Sequence, residues 1–309
     1  MEQAIIGENE KRQINAQIQR VLRDLGNPEP PLRLEDVRQL LSLDLQYYRS
    51  TDPGLITELT HRFHLLAKKS IPNLGHHLLS ALAKSKLCAF WVPDASRILI
   101  DEAEPEPKHR WIETHEIAHS LTPWHKGFLL GDSKQSLDPA CHSTLEAEAN
   151  YGAGRLLFLQ DQFGQDARDL PLDFASVKAL SKRYANSLIS TCWRMVEERN
   201  AEQAAFGLIS VHPHYDHIGS HDGTDPWRYF IRSTQFRLQF PHIKAADIFG
   251  LVSRHANHHR TGPIVNAEDV LVDITGKAFE FNLQSFATQH ACMTMGYLVR
   301  LRAPLVVIE

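Results

Sequence analysis

The run His115-Glu116-Ile117-Ala118-His119 constrains this chain more than any other feature. It reads H-E-x-x-H and lies between Pro107 and Pro123. Proline is tolerated in the first turn of a helix and cannot continue one, so the pair predicts a helix over about 107–121. On a helix, positions i and i+4 stand one turn apart on one face, and two imidazoles there converge on one point. Two such histidines can share a divalent metal, with the glutamate of the motif placed to take a proton from an attacking water. Trp111, Ile112, His115, Ala118 and His119 share that face, which turns the histidines inward. The runs 87–92 and 97–100 ahead of the helix read as strands, with Pro93-Asp94 as the turn between them.

A metal that works on water takes three protein ligands and keeps one position open. The candidates for the third ligand are Glu146 and Glu148 in Leu145-Glu146-Ala147-Glu148-Ala149-Asn150. Two residues apart on a helix they point about 200° apart, so one metal meets only one of them. Glu146 shares its face with Ala149, Asn150, Ala153 and Leu157, which suit helix-on-helix contact. Glu148 shares its face with Tyr151, Gly152 and Arg155, which read as solvated. The expected ligands are therefore His115, His119 and Glu146, with Glu116 as general base and Glu148 as the alternative ligand. Asn150 is one turn beyond Glu146 and is placed to orient a ligand imidazole. Imidazole plus carboxylate suits zinc, the expected metal. His125, His142 and Tyr151 are candidates to stabilise an oxyanion, while His61, His64, His76 and His77 fall on expected helices and read as structural.

The remaining chain sets the frame. At 309 residues and 43% hydrophobic it has enough material for two domains with real cores. The formal charge of −4 argues against a bulk nucleic-acid surface, which needs clustered Lys and Arg. Cys88, Cys141, Cys192 and Cys292 are far apart and form no C-x-x-C pair, so reduced thiols are expected. The first twenty residues lack the apolar centre of a secretion signal, and no apolar run approaches the roughly 18–20 residues that span a bilayer. A cytoplasmic protein without membrane contact is the expectation. Residues 1–30 read as a polar helix and a proline-broken linker. Residues 31–200 read as helical, with helices at 34–43, 54–69, 74–83, 144–160, 173–184 and 187–199 and an irregular segment at 127–143. From about 201 the texture becomes strand-like, at 207–211, 229–232 and 270–274, giving a β-rich domain over 201–309. The fold class is α+β.

A second histidine group competes with the first. Val211-His212-Pro213-His214-Tyr215-Asp216-His217-Ile218-Gly219 matches the H-x-H-x-D-H signature of metallo-β-lactamase-like hydrolases, and 207–211 supplies a preceding strand. That fold needs two stacked sheets and further ligands well downstream, whereas the chain before Phe206 reads as helical and little follows His217. A His-rich loop after a strand is the competing reading.

The first motif together with Glu146-Ala147-Glu148-Ala149-Asn150-Tyr151-Gly152-Ala153 and Leu156-Leu157 resembles the ImmA/IrrE family of metallo-endopeptidases over about 33–199. Glu146 matches the glutamate of the family's E-x-x-A-N-x-F-A helix, and Gly152 replaces its usual Phe. The resemblance implies a gluzincin-like fold, zinc held by two His and one Glu, and endopeptidase action, often on a helix-turn-helix transcriptional repressor. It also implies a helix-turn-helix-like pair, here 180–184 and 188–196 with Lys182, Arg183 and Arg194, followed by a small GAF-like sensor domain. Other readings are a regulatory or DNA-associated protein whose zinc is structural, or whose peptidase site is vestigial.

Overall fold

A computed structural model describes residues 6–49, 89–92, 96–125, 139–221 and 223–302. The helices expected at 54–69 and 74–83, their four histidines, Cys88 and the Pro93-Asp94 turn lie outside these. The chain combines helices and sheets in two compact units, Met1–Gln160 and Asp161–Glu309.

The first unit contains α1 (Glu8–Asp24), α2 (Leu34–Leu41), β1 (Asp44–Tyr48), β2 (Ala89–Val92), β3 (Arg97–Asp101), α3 (Glu106–Leu121) and α4 (Pro139–Leu157). The sheet order is β1-β3-β2, with β1 parallel and β2 antiparallel to the central β3. Ile98, Leu99 and Ile100 of β3 are buried, as a central strand covered by helices requires. The H-E-x-x-H helix is α3, with proline in its first turn, and it packs against β2, β3 and α4. Its helical neighbour α2 is pinned to it by Arg38 Nε, 2.7 Å from Glu113 Oε1. Burial pushes the Glu113 carboxyl up, and Arg38 works against that shift.

Helix α4 begins at Pro139, inside the segment read as irregular; proline's fixed φ suits a first helical position. Where it crosses α3, Ala118, Ala149 and Ala153 are buried together. A Cβ at Gly152 would stand 3.1 Å from the Ala118 Cβ and 3.4 Å from Ile14 Cγ2. The glycine therefore lets α1, α3 and α4 approach closely. Helix α1 buries Ile14, Ile18, Val21 and Leu22, one stripe at helical spacing, and belongs to this unit. Asn15 on α1 bonds Tyr151 Oη at 3.0 Å and accepts from Arg155 Nε at 3.1 Å. The face of α4 expected to be solvated is thus covered by α1.

The second unit contains α5 (Asp161–Arg168), α6 (Phe174–Tyr184), α7 (Leu188–Glu198), β4 (Ala205–Ser210), β5 (Trp227–Arg232), α8 (Thr234–Gln239), α9 (Ala245–His255), β6 (Gly262–Val272), β7 (Ala278–Ala287) and β8 (Cys292–Leu301). The five strands are antiparallel in the order β5-β4-β8-β7-β6. The division falls after Gln160, well upstream of the boundary expected at 200/201. The reason lies in α7, whose Thr191, Cys192, Met195 and Val196 are buried, with Val196 Cγ2 3.2 Å from the Cβ position of Gly207 in β4. Helix α7 is therefore part of the sheet's core, and α6 packs on α7. The arginines of these two helices are paired with acids: Arg183 with Asp166 at 3.2 Å and Arg194 with Glu198 at 2.6 Å. Phe206, Phe236, Phe240, Phe281 and Leu283 form the centre of a core with α8 and α9. Every residue of β4 is buried. In β7 the alternation Phe281, Leu283, Ser285, Ala287 faces the core. Cys192 and Cys292 are free and buried, and burial pushes both thiols up to about 12.

Candidate metal centre

Helix geometry sets the first two donors. His115 and His119, one turn apart on α3, bring their Nε2 atoms to 3.1 Å from each other. Glu146, reaching across from α4, places Oε2 3.1 Å from His115 Nε2 and Oε1 3.6 Å from His119 Nε2. One donor atom from each of the three lies within 4.8 Å of the others, the only such metal-capable group among the described residues. Two imidazoles and a carboxylate are a donor set that a divalent metal takes, and they leave a fourth direction free of protein ligands among the described residues.

Electrostatics agree with that geometry. Burial opposes ionisation of Glu146, yet hydrogen bonds from His115 and His119 override it and hold its carboxyl well below the usual carboxylate range. Burial also opposes charge on His115. The Glu146 hydrogen bond, with the charges of Glu116 and Glu146, outweighs it and raises that pKa. The outer nitrogen of His115 is occupied: Asn150 Oδ1 lies 3.1 Å from His115 Nδ1. A carbonyl oxygen only accepts, so Nδ1 carries a proton, and Nε2, which faces Glu146, is the nitrogen a metal would take by displacing the proton held there.

Glu116 is buried, 7% exposed. Burial pushes its carboxyl above the ordinary value; His119, His115 and a hydrogen bond from the Trp91 main chain work against that shift, and Glu146 works with it. A carboxylate whose affinity for protons is raised beside a ligand cluster has the property a general base needs.

Two expected placements are overturned. Glu148 is not on a solvated face; it is 3% exposed, and its Oε2 lies 2.7 Å from Trp124 Nε1 and 2.8 Å from His125 Nε2. It is directed away from the ligand cluster, as the angular separation of i and i+2 demands. His125 is fully buried, with Nδ1 2.8 Å from His119 Nδ1 and Nε2 on Glu148, so neither nitrogen is available to an oxyanion. Burial, reinforced by the charge of His119, pushes its pKa down to about 3 and keeps the ring neutral. Tyr151 is likewise engaged, with Asn15. The His142 side chain lies outside what is described. The chain Glu148–His125–His119 and the Trp91 contact to Glu116 carry no signature in residue spacing. The one sequence signal was Trp124-His125 directly after the helix-ending Pro123.

The second histidine group is assembled differently. His212 Nε2 is 2.9 Å from the His259 carbonyl, and its Nδ1 accepts from the His214 main-chain N–H at 3.1 Å. His214 Nε2 is 3.1 Å from the Ala256 carbonyl, and its ring stacks on His258 with centroids 4.1 Å apart. These imidazoles hold a turn, and no metal-capable group forms here among the described residues. A cleft of about 540 Å³ in the second unit, lined by Arg199, Glu202, Gln203, Gln239, Phe279 and Leu298 among others, offers one carboxylate and no imidazole or thiolate to join it.

No protein-family model matches the chain, and no curated protein matches it. A solved structure described as a Mycobacterium tuberculosis transcriptional regulator is similar, with a TM-score of 0.50 and 10% identity, covering 94% of this chain and 76% of that one. At that identity the likeness bears on the fold alone. Among the described residues no helix is long and apolar enough to cross a membrane.

Proposed function

We propose that this chain is a zinc-dependent endopeptidase of the gluzincin kind, similar to the ImmA/IrrE family. The observation that carries the reading is the convergence of His115 Nε2, His119 Nε2 and a Glu146 carboxylate oxygen on one point, with buried Glu116 next to it. Zinc held there supplies Lewis-acid activation of water and of the scissile carbonyl. A purely structural zinc is normally closed by a fourth protein ligand, and three are found here among the described residues. Glu116 takes the proton of the attacking water and returns it to the leaving amine. Asn150 holds the His115 ring in the tautomer that leaves Nε2 free to bind. Strand β2 supplies the Trp91 main-chain hydrogen bond that orients Glu116.

The substrate class in this proposal is a regulatory protein, such as a helix-turn-helix repressor in the cytoplasm. The second unit is its sensor or targeting part. A five-stranded antiparallel sheet with helices supports a GAF-like reading of it. A second reading is a transcriptional regulator that keeps zinc without hydrolysis, the role named for the similar solved structure. One experiment separates the two. Zinc-loaded wild type and Glu116→Gln are incubated with a mixture of unstructured peptides and a helix-turn-helix repressor, and cleavage is followed by mass spectrometry. Glu116→Gln should keep its zinc and lose hydrolysis by about 10²–10⁴-fold. Equal turnover in both would remove Glu116 from the mechanism. Stoichiometric zinc with no cleavage in either would favour the regulator.

A further inference from the structure

Three polar contacts behind His119 form a chain whose proton positions can be worked out from donor and acceptor capacity. Trp124 Nε1 is a donor only, and it sits 2.7 Å from Glu148 Oε2, so that oxygen accepts. His125 Nε2 lies 2.8 Å from the same oxygen. Zinc on His119 Nε2 would leave that ring's single proton on Nδ1, facing His125 Nδ1, so the proton of His125 belongs on Nε2, donated to Glu148 Oε2. His125 Nδ1 is then a bare lone pair. It faces His119 Nδ1 at 2.8 Å, which must carry a proton to make that contact. His119 Nε2, which faces His115 and Glu146, is then the nitrogen left for the metal. Moving the His125 proton to Nδ1 reverses every step and puts an N–H on His119 Nε2, which cannot bind a metal. His125 is fully buried and Glu148 nearly so, which leaves solvent little access to substitute for a missing link.

We propose that Glu148 and His125 are positioning residues that act through His119, fixing the tautomer in which its Nε2 lone pair faces the ligand cluster. The proposal rests on the zinc reading above and deepens it. Neither residue belongs to the group of three metal ligands. His115 is set by one link, Asn150; His119 is set by two, His125 and Glu148, with Trp124 helping to keep Glu148 an acceptor.

The test contrasts polar and apolar replacements. In His125→Asn the amide oxygen takes the place of Nδ1 as acceptor toward His119, whereas His125→Leu fills the space without accepting. In Glu148→Gln one carbonyl oxygen can accept from both Trp124 and His125, whereas Glu148→Met cannot. Zinc affinity is measured by chelator competition, after melting of each zinc-free variant has established that it folds. His125→Leu and Glu148→Met should bind zinc about 10–100-fold more weakly, the usual cost of losing an outer-shell partner. His125→Asn and Glu148→Gln should stay within a few-fold of wild type. If the two residues only filled space, the order would invert, because Leu and Met suit a buried site better than unpaired amides. A measurement on wild type needs no variant. Long-range nitrogen–proton correlations in histidine-labelled, zinc-loaded protein should place the proton of His119 on Nδ1 and that of His125 on Nε2. A proton on His125 Nδ1 would overturn the proposal. Wild-type zinc binding with all four variants alike would sink the relay and leave the zinc site standing. No zinc binding by wild type would sink both.

Discussion

The two histidine groups of this protein use the same side chain to opposite ends. On α3 and α4, the Nδ1 atoms of His115 and His119 are held by Asn150 and His125, and the Nε2 atoms meet beside Glu146. In the loop after β4, His212 and His214 spend Nε2 on the carbonyls of His259 and Ala256, and His212 gives its other nitrogen to the backbone of its own turn. Histidine density is alike in both. What differs is the nitrogen that the surroundings satisfy. A ring fixed through its outer nitrogen can turn the other to a metal; His212, which ties backbone to backbone with both nitrogens, has none left to present.

The largest effect expected from this contrast is in metal content. His115→Ala or His119→Ala removes one of three ligands and should leave the purified protein without its zinc. His212→Ala combined with His214→Ala should keep a full complement. Elemental analysis of the desalted proteins decides it, and zinc leaving with the second pair would reverse the assignment of the two groups.

The contrast also depends on backbone approach, which gives a smaller, structural prediction. The α3–α4 cluster exists because Gly152 lets two helices come close; even a methyl there would meet Ala118 Cβ at 3.1 Å. Ala118 lies between the two ligand histidines on α3. Gly152→Phe, the residue usual in the resembling family, should destabilise the fold by about 1–3 kcal/mol through overpacking, read as a lower melting temperature, and should loosen zinc as well. A variant as stable as wild type would mean that the helices have room the structure does not give them.

This glycine marks the limit of what the sequence made legible. H-E-x-x-H between two prolines fixed a helix and a shared face, and the 200° rule separated Glu146 from Glu148, because both follow from periodicity alone. The rule for which face is solvated failed: Tyr151, Gly152 and Arg155 look polar or small, yet α1, more than a hundred residues away in sequence, covers them. The same long-range packing hides the Glu148–His125 chain, which joins residues on separate helical segments with no spacing to announce it. In the second unit, α7 reads as a helix from its pattern, but the pattern does not say which core it joins. Its stripe of Thr191, Cys192, Met195 and Val196 is covered by the sheet that follows. In β7 and β8 the polar Ser285 and Thr294 occupy core-facing positions, satisfied by each other at 2.7 Å, a pairing that apolar alternation does not announce.

The smallest effect sharpens the comparison from the other side, by asking whether His212 is worth anything to stability. His212→Leu keeps the buried volume and deletes two hydrogen bonds, leaving the His259 carbonyl and the His214 N–H to find other partners. At pH 8 this should cost about 1–3 kcal/mol, measured by denaturant unfolding, with zinc content unchanged. The cost should shrink with acidification, and the sign follows from the proton balance. Burial lowers the pKa of His212 in the folded protein below its ordinary 6.5. The unfolded chain therefore takes up this proton first as the pH falls, and the folded state resists it because Nδ1 is already accepting from His214. The stability that neutral His212 supplies is full above about pH 6.5 and is lost as pH falls toward the folded value. The leucine side chain of the variant has nothing to titrate, and every other histidine is common to both proteins, so the difference between them isolates this one group. A gap that stays constant from pH 8 to pH 5 would show that His212 contributes by packing alone.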